Sequence, residues 1–294
     1  MLLLLGSLAL PGQADAQQVF ATPEAAAEAV VKAARGADAG ALATIFGPGS
    51  KELLSSGDAE EDQRRREAFV TAAQEGVAFE SPAPDRRTLV LGAAAWPFPV
   101  PLVKRGEGWT FDAEAGREEL INRTIGFNEL SAIAACKAYV EAQREYYRQN
   151  PDGDEIQEYA QRILSRPGHH DGLYWPPESQ ADRSPLDGRI EGDLSARAAR
   201  AGQGPEPYRG YHFRILKAQG EAAPGGAYSY LVKGRMLIGF ALVAYPAEWG
   251  RTGVMTFICN QQDRVFQKNL GPRTADIARA MTRYDPDRSW SVAE

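Results

Sequence analysis

Four stretches decide the fold: Tyr211–Leu216 (YHFRIL), Met236–Tyr245 (MLIGFALVAY), Gly253–Cys259 (GVMTFIC) and Val265–Leu270 (VFQKNL). Each is short, rich in β-branched and aromatic residues, and bounded by Gly, Pro, Asn or Asp, which is the signature of strands joined by tight turns. Ahead of them, Asn128–Tyr147 places Ile133, Cys136, Val140 and Tyr147 on one helical face. One amphipathic helix followed by four strands, with no strand–helix alternation, predicts a long helix packed on a four-stranded antiparallel meander, an α+β arrangement. Asn150-Pro151-Asp152-Gly153 ends that helix, and a shorter one is expected over Glu155–Leu164.

Toward the N-terminus the texture changes. Thr22 and Pro23 form an N-cap and N1 pair before an alanine-rich helix over Glu24–Ala34. A second helix is expected over Ala39–Phe46, stopped by Gly47-Pro48-Gly49. A charged helix follows over Asp58–Glu75, with Phe69 and Val70 turned inward. Strands are then expected at Thr88–Ala93, Pro99–Arg105 and Gly108–Asp112, the last two joined by a hairpin at Arg105–Gly108. Helices first and a curled, cone-like antiparallel sheet second make an N-terminal α+β domain over residues 17–120. Ala113–Arg123 reads as a helical connector to a C-terminal domain over 121–294, which carries a long loop at 165–207.

Composition narrows the function classes. The 294 residues carry a formal charge of −6, the wrong sign for a phosphate-binding footprint, so no nucleic-acid partner is expected. Arg64, Arg65 and Arg66 sit among Glu60, Glu61, Asp62 and Glu67, which cancel their charge locally. Residues 1–16 hold an apolar run ending in small residues at an A-x-A spacing, read as a secretory signal without a basic n-region, with the mature start near Gln17. That run is shorter than the roughly 20 residues of a spanning helix. A periplasmic or secreted protein without a transmembrane anchor is therefore expected.

The candidate chemistry is sparse. Cys136 and Cys259 point to one helix–sheet interface, as a disulfide, as two buried thiols or as a reactive pair. His169, His170 and Asp171 precede Leu173, Tyr174 and Trp175 in the long loop. Together with Tyr208 and Tyr211 they form a candidate binding surface, because aromatic rings bury area at small entropic cost. Tyr174 and Trp175, ahead of Pro176-Pro177, also suit a plug that pins the loop to the core. Asn150, Asp152, Asp154 and Glu155 cluster oxygens at a turn and are a calcium candidate, although Gly153 falls at the wrong place for an EF-hand. Cys259 and His212 lie on strands without an orienting third group. Asp171, Glu178, Asp182 and Asp187 supply carboxylates of the kind sugar hydrolysis needs. No nucleophile elbow, phosphate-binding loop or dinucleotide fingerprint occurs, and no cofactor is expected.

Five strings, WPFPVPLVKRGEGWTFD (96–112), IGFNELSAIAACKAYVEAQREY (125–146), HDGLYWP (170–176), GYHFRILKAQG (210–220) and GFALVAYPAEWGRTGVMTFICNQ (239–261), resemble the bacterial family called domain of unknown function 2950. The resemblance implies an exported envelope protein of Gram-negative bacteria and, as partner, another exported envelope protein. It implies no activity. Gln262-Asp263 stands where that family favours Gly in the hairpin. The stretch Trp109–Asp112 resembles closing strands of nuclear-transport-factor-2-like domains. The C-terminal half is similar to the globular heads of type IV pilin-like and pseudopilin proteins. Lys137, Glu141, Arg144 and Glu145 on the long helix separate it from the apolar pilin stem. These readings converge on a non-enzymatic binding or assembly module. The alternative is a periplasmic hydrolase or small-ligand binder with a pocket between the two domains.

Overall fold

The computed structural model describes residues 17–55, 58–151, 153–179, 182–190 and 206–293. The chain divides into two compact units between Ile121 and Asn122. Both mix helices with antiparallel sheets, so the α+β class holds. The residues expected to form the secretory signal lie outside the described residues.

In the first unit, α1 (Pro23–Arg35) starts where Thr22 Oγ1 accepts from the Ala25 amide at 3.2 Å, with Pro23 in its first turn. Asp38 caps α2 (Ala39–Phe46) in the same way. After α3 (Lys51–Leu54), Asp58 accepts from the Glu60 and Glu61 amides and opens α4 (Ala59–Glu75). The sheet comprises β1 (Val77–Ala83), β2 (Arg86–Leu91), β3 (Trp96–Pro97), β4 (Leu102–Arg105) and β5 (Gly108–Phe111). Its order is β1-β2-β4-β5, with β3 paired to β2. Leu89, Leu102 and Phe111 are fully buried against Ala26, Val30 and Phe46. Strand β1 is an addition to the sequence expectation, which began the sheet at Thr88.

Ala113–Gln149 forms one continuous helix, α5, where a separate connector and helix were expected. Gly116 and Gly126 each lower helix propensity by roughly 1 kcal/mol relative to Ala, too little to break a helix whose Ala132, Cys136, Tyr139 and Val140 are packed in a core. Gly116 is required for fit as well, since a Cβ there would stand 2.7 Å from Val100 Cγ2.

The second unit's main sheet contains the four expected strands, β6 (Tyr211–Leu216), β11 (Ala241–Pro246), β12 (Met255–Asn260) and β13 (Val265–Asn269), and a short fifth, β14 (Ser291–Val292). They are ordered β14-β13-β12-β11-β6, antiparallel throughout. Two small hairpins interrupt the path from β6 to β11: β7 (Ala218–Gln219) with β8 (Tyr228–Ser229), and β9 (Leu231–Val232) with β10 (Arg235–Met236). Helix α6 (Thr274–Ala280) follows β13, and Arg214 of β6 donates to the carbonyls of Ala278 and Met281 at its C-terminal end. From α5, Ala132, Cys136, Tyr139 and Val140 pack into a core with Leu242, Phe257 and Cys259. The β12–β13 turn places Asp263 at φ 59, a left-handed residue where Gly would be unstrained, and the Asn260 side chain accepts from the Gln262 amide at 3.1 Å to hold it.

The helix expected over Glu155–Leu164 does not form. Its backbone groups are taken by other parts of the chain: Ala160 exchanges two 2.8 Å hydrogen bonds with the buried Gln143 side chain, and the Tyr159 amide donates to Met236 O at 2.8 Å. Arg235 also binds Asp154 at 2.7 Å and Glu158 at 3.0 Å, which fixes the segment as an extended strap.

Candidate binding site

The loop after Arg162 folds back on itself. Leu173 N donates to Arg162 O, Tyr174 N to Ile163 O, and Ser165 N to Tyr174 O. Gly172 sits at the crossing. A Cβ there would stand 2.7 Å from Ser165 N and 2.8 Å from Leu164 C, so only glycine permits the two backbones to approach.

This folding decides the fate of the aromatic residues. Leu173, Tyr174 and Trp175 are all buried in the core of the second unit, Trp175 with 4% of its surface exposed. The Trp175 indole N–H donates to Asp182 Oδ1 at 2.7 Å, and its ring stacks on His170 with centroids 4.3 Å apart. Asp182 also accepts from the Glu178 amide at 2.9 Å. That bond and then the indole donor hold its carboxyl below the usual range. Asp171 is pushed up by its partial burial. Two hydrogen bonds from Arg166, aided by the charges of Arg166 and Arg162, outweigh that and leave it lowered. His169 is exposed, while His170 is half-buried and accepts through its carbonyl from Tyr146 Oη at 3.0 Å. Tyr211 is fully buried and donates to Met255 O at 2.8 Å. Tyr208 makes a two-bond backbone bridge to Tyr211. Tyr174, Trp175 and Tyr211 are therefore core side chains, while Tyr208 stays half-buried. The surface they leave is the exposed rim of His169, Pro176, Pro177 and Glu178.

The remaining candidates are equally committed. Asp154 binds Arg235 and accepts from Ile156 N at 2.8 Å; the Arg235 bond, then the Ile156 amide, lower its pKa. Asn150 donates its side-chain amide to Asp154 O at 2.8 Å, Glu155 is exposed, and Asp152 lies outside the described residues. Among the described residues no group of three or more His, Cys, Asp or Glu side chains converges on a possible metal position. Cys136 and Cys259 are free, fully buried thiols, with Cys259 Sγ 3.7 Å from Cys136 O. Burial, then the neighbouring Cys136 thiol, pushes the Cys259 pKa up, away from the reactive thiolate. Cys259 and His212 also face opposite sides of the sheet. Through Leu242, Cys259 shares a face with Ile215, and His212 is three positions from Ile215.

A concave feature appears in the first unit instead. A groove of about 520 Å³ runs between α1 and β1. Its floor is Ala27, Val31, Val77 and Phe79. Glu24 and Glu28 stand at one end of the α1 wall, and Lys32 and Arg35 at the other. Val31 and Phe79 are half-buried extensions of the core, and Val77 keeps 40% of its surface exposed. Sequence reading missed these residues. The alternation Val77-Ala78-Phe79-Glu80 between Gly76 and Pro82 was the available signal.

The fold and the groove define an α+β protein of two units with an apolar, charge-rimmed surface cleft and, among the described residues, no cluster of metal-ligating side chains. A family model described as Protein of unknown function (DUF2950) matches residues 17–293, and the chain belongs to that family. No curated protein and no solved structure matches the chain. Among the described residues no helix is long and apolar enough to cross a membrane.

Proposed function

We propose that this is a non-enzymatic binding module, exported to the periplasm or secreted, that engages another exported envelope protein. The observation that carries the reading is the groove on the first unit. It has an apolar floor that continues the core outward, flanked by charges on a stable helix, and the half-exposed Val77 and Phe79 are the kind of side chains a partner buries. A small-ligand or hydrolytic site would need polar groups converging on the floor, and here the four charged residues stand on the α1 wall. The helix-on-meander form of the second unit, similar in element order to pilin-like heads, suits the same role. There the pinned loop offers His169, Pro176 and Pro177 as a secondary contact.

The test is photocrosslinking in intact cells, with a photoreactive residue in place of Glu28 and a control in place of Glu107 in the β4–β5 turn. One envelope protein captured from the Glu28 position and absent from the Glu107 position supports the reading. Identical patterns from both positions, or no adduct from either, refute it.

A further inference from the structure

The groove has a second property, seen in the backbone. At the opposite edge of the same sheet β5 is covered: Phe20 and Trp109 exchange two hydrogen bonds of 2.8 and 2.7 Å. Strand β1 is the other edge and, among the described residues, pairs with β2 alone. Its second half carries the usual protection of an edge, with Glu80, Pro82 and a bulge between Glu80 and Ala83. Its first half has none.

The ladder fixes which groups are free. The Gly92 amide donates to Gly76 O at 3.0 Å, and the register continues Val77↔Leu91, Ala78↔Val90, Phe79↔Leu89. In an antiparallel ladder bonded and non-bonded pairs alternate, so Ala78 turns its N–H and C=O to β2, while Val77 and Phe79 turn theirs to the open side. These are the two residues whose side chains also form the groove floor. Leu89 and Leu91, their cross-strand partners, are fully buried on the core face, which confirms the side on which Val77 and Phe79 lie.

We infer that β1 binds an extended polypeptide segment of the partner by strand addition. The segment's backbone pairs with Val77 and Phe79, and its alternate apolar side chains enter the groove against Ala27 and Val31 of α1. This inference rests on the binding-module reading and names the form of the partner. An unpaired row of donors and acceptors beside an apolar trough selects an extended backbone with period-two hydrophobicity. The charges along α1 give it polarity: the segment carries a basic residue at the Glu24 and Glu28 end and an acidic one at the Lys32 and Arg35 end.

The experiment separates backbone pairing from groove filling. Full-length protein selects binders from a phage-displayed library of linear peptides, and the enriched peptides are titrated against the native protein, Val77→Ala and Val77→Pro. Proline deletes the outward N–H without touching the β1–β2 ladder and is tolerated on edge strands, and circular dichroism verifies the fold. Strand addition predicts enriched peptides with apolar residues at alternate positions. It also predicts weakening of about tenfold or more in Val77→Pro, a smaller loss in Val77→Ala, and a similar loss when alternate peptide nitrogens are methylated. Peptides that bind native and Val77→Pro protein equally, or tolerate methylation, overturn strand addition and leave the binding-module reading in place. A library that yields no peptide sensitive to any change at Val77, together with no Glu28 adduct in cells, overturns both.

Discussion

Replacing Trp175 by Ala tests whether this ring is part of the core. The side chain is 96% buried, stacks on His170 and donates to Asp182 at 2.7 Å. Truncating a buried Trp to Ala costs about 3 to 5 kcal/mol through lost transfer energy and the residual cavity. That is a large share of the roughly 5 to 15 kcal/mol that holds a typical domain folded. Trp175→Phe keeps most of the ring and loses the indole donor. Its cost is about 1.5 kcal/mol, the low end for a bond to a charged acceptor, because water reaches the half-buried Asp182. In urea unfolding followed by far-ultraviolet circular dichroism, the Ala variant is expected to lower the midpoint by about 1.5 M and the Phe variant by less than half as much. The acid limb adds a signed check. The folded Asp182 carboxyl is depressed, so its bonds stabilise the protein above the ordinary carboxylate range and that stability is lost as pH falls through the lowered value. Trp175→Phe removes one of the two main causes of the depression and flattens the limb. An Ala variant within about 0.5 kcal/mol of the native protein would refute the plug and return the ring to the surface.

Three further outcomes follow from the packing. Gly172→Ala forces a methyl against Leu164 and Ser165 backbone and is expected to destabilise by about 2 kcal/mol or more, measured by thermal unfolding. Cys136 and Cys259 should resist thiol reagents near neutral pH in the folded protein and react together once it is denatured, because both are fully buried; labelling of either under native conditions contradicts the core placement. Tyr211→Phe deletes the donor to Met255 O and costs about 1 kcal/mol, while Gly253→Ala costs more because its methyl meets the Tyr211 ring; denaturant titration orders the two.

The second unit was largely legible because its strands carry their own punctuation. Tyr211–Leu216 was read with its observed bounds, and the other three strands of the meander were located to within a few residues, except that the Met236–Tyr245 run splits into the end of a hairpin and β11. Tertiary partners decided the failures. Glu155–Leu164 has helical composition, yet Gln143 and Met236 satisfy its backbone from elsewhere in the chain. The connector Ala113–Arg123, with Gly116, and the following Gly126 are absorbed within α5. The aromatic loop was located, but whether Trp175 faces outward or inward depends on Gly172 and Asp182, whose roles appear only when the loop closes. Strand β1 went unread because its alternation is brief and its tail holds Pro82, with Pro84 just beyond it, and with it went the groove residues Val77 and Phe79.

The central claim is most directly tested by amide hydrogen exchange at Val77 and Phe79, with the protein free and then bound to the partner or peptide that the groove captures. The account predicts fast exchange at both amides in the free protein and slow exchange at both in the complex, with Ala78 changing far less because β2 already holds it. Unchanged exchange at Val77 and Phe79 in a saturated complex would contradict it.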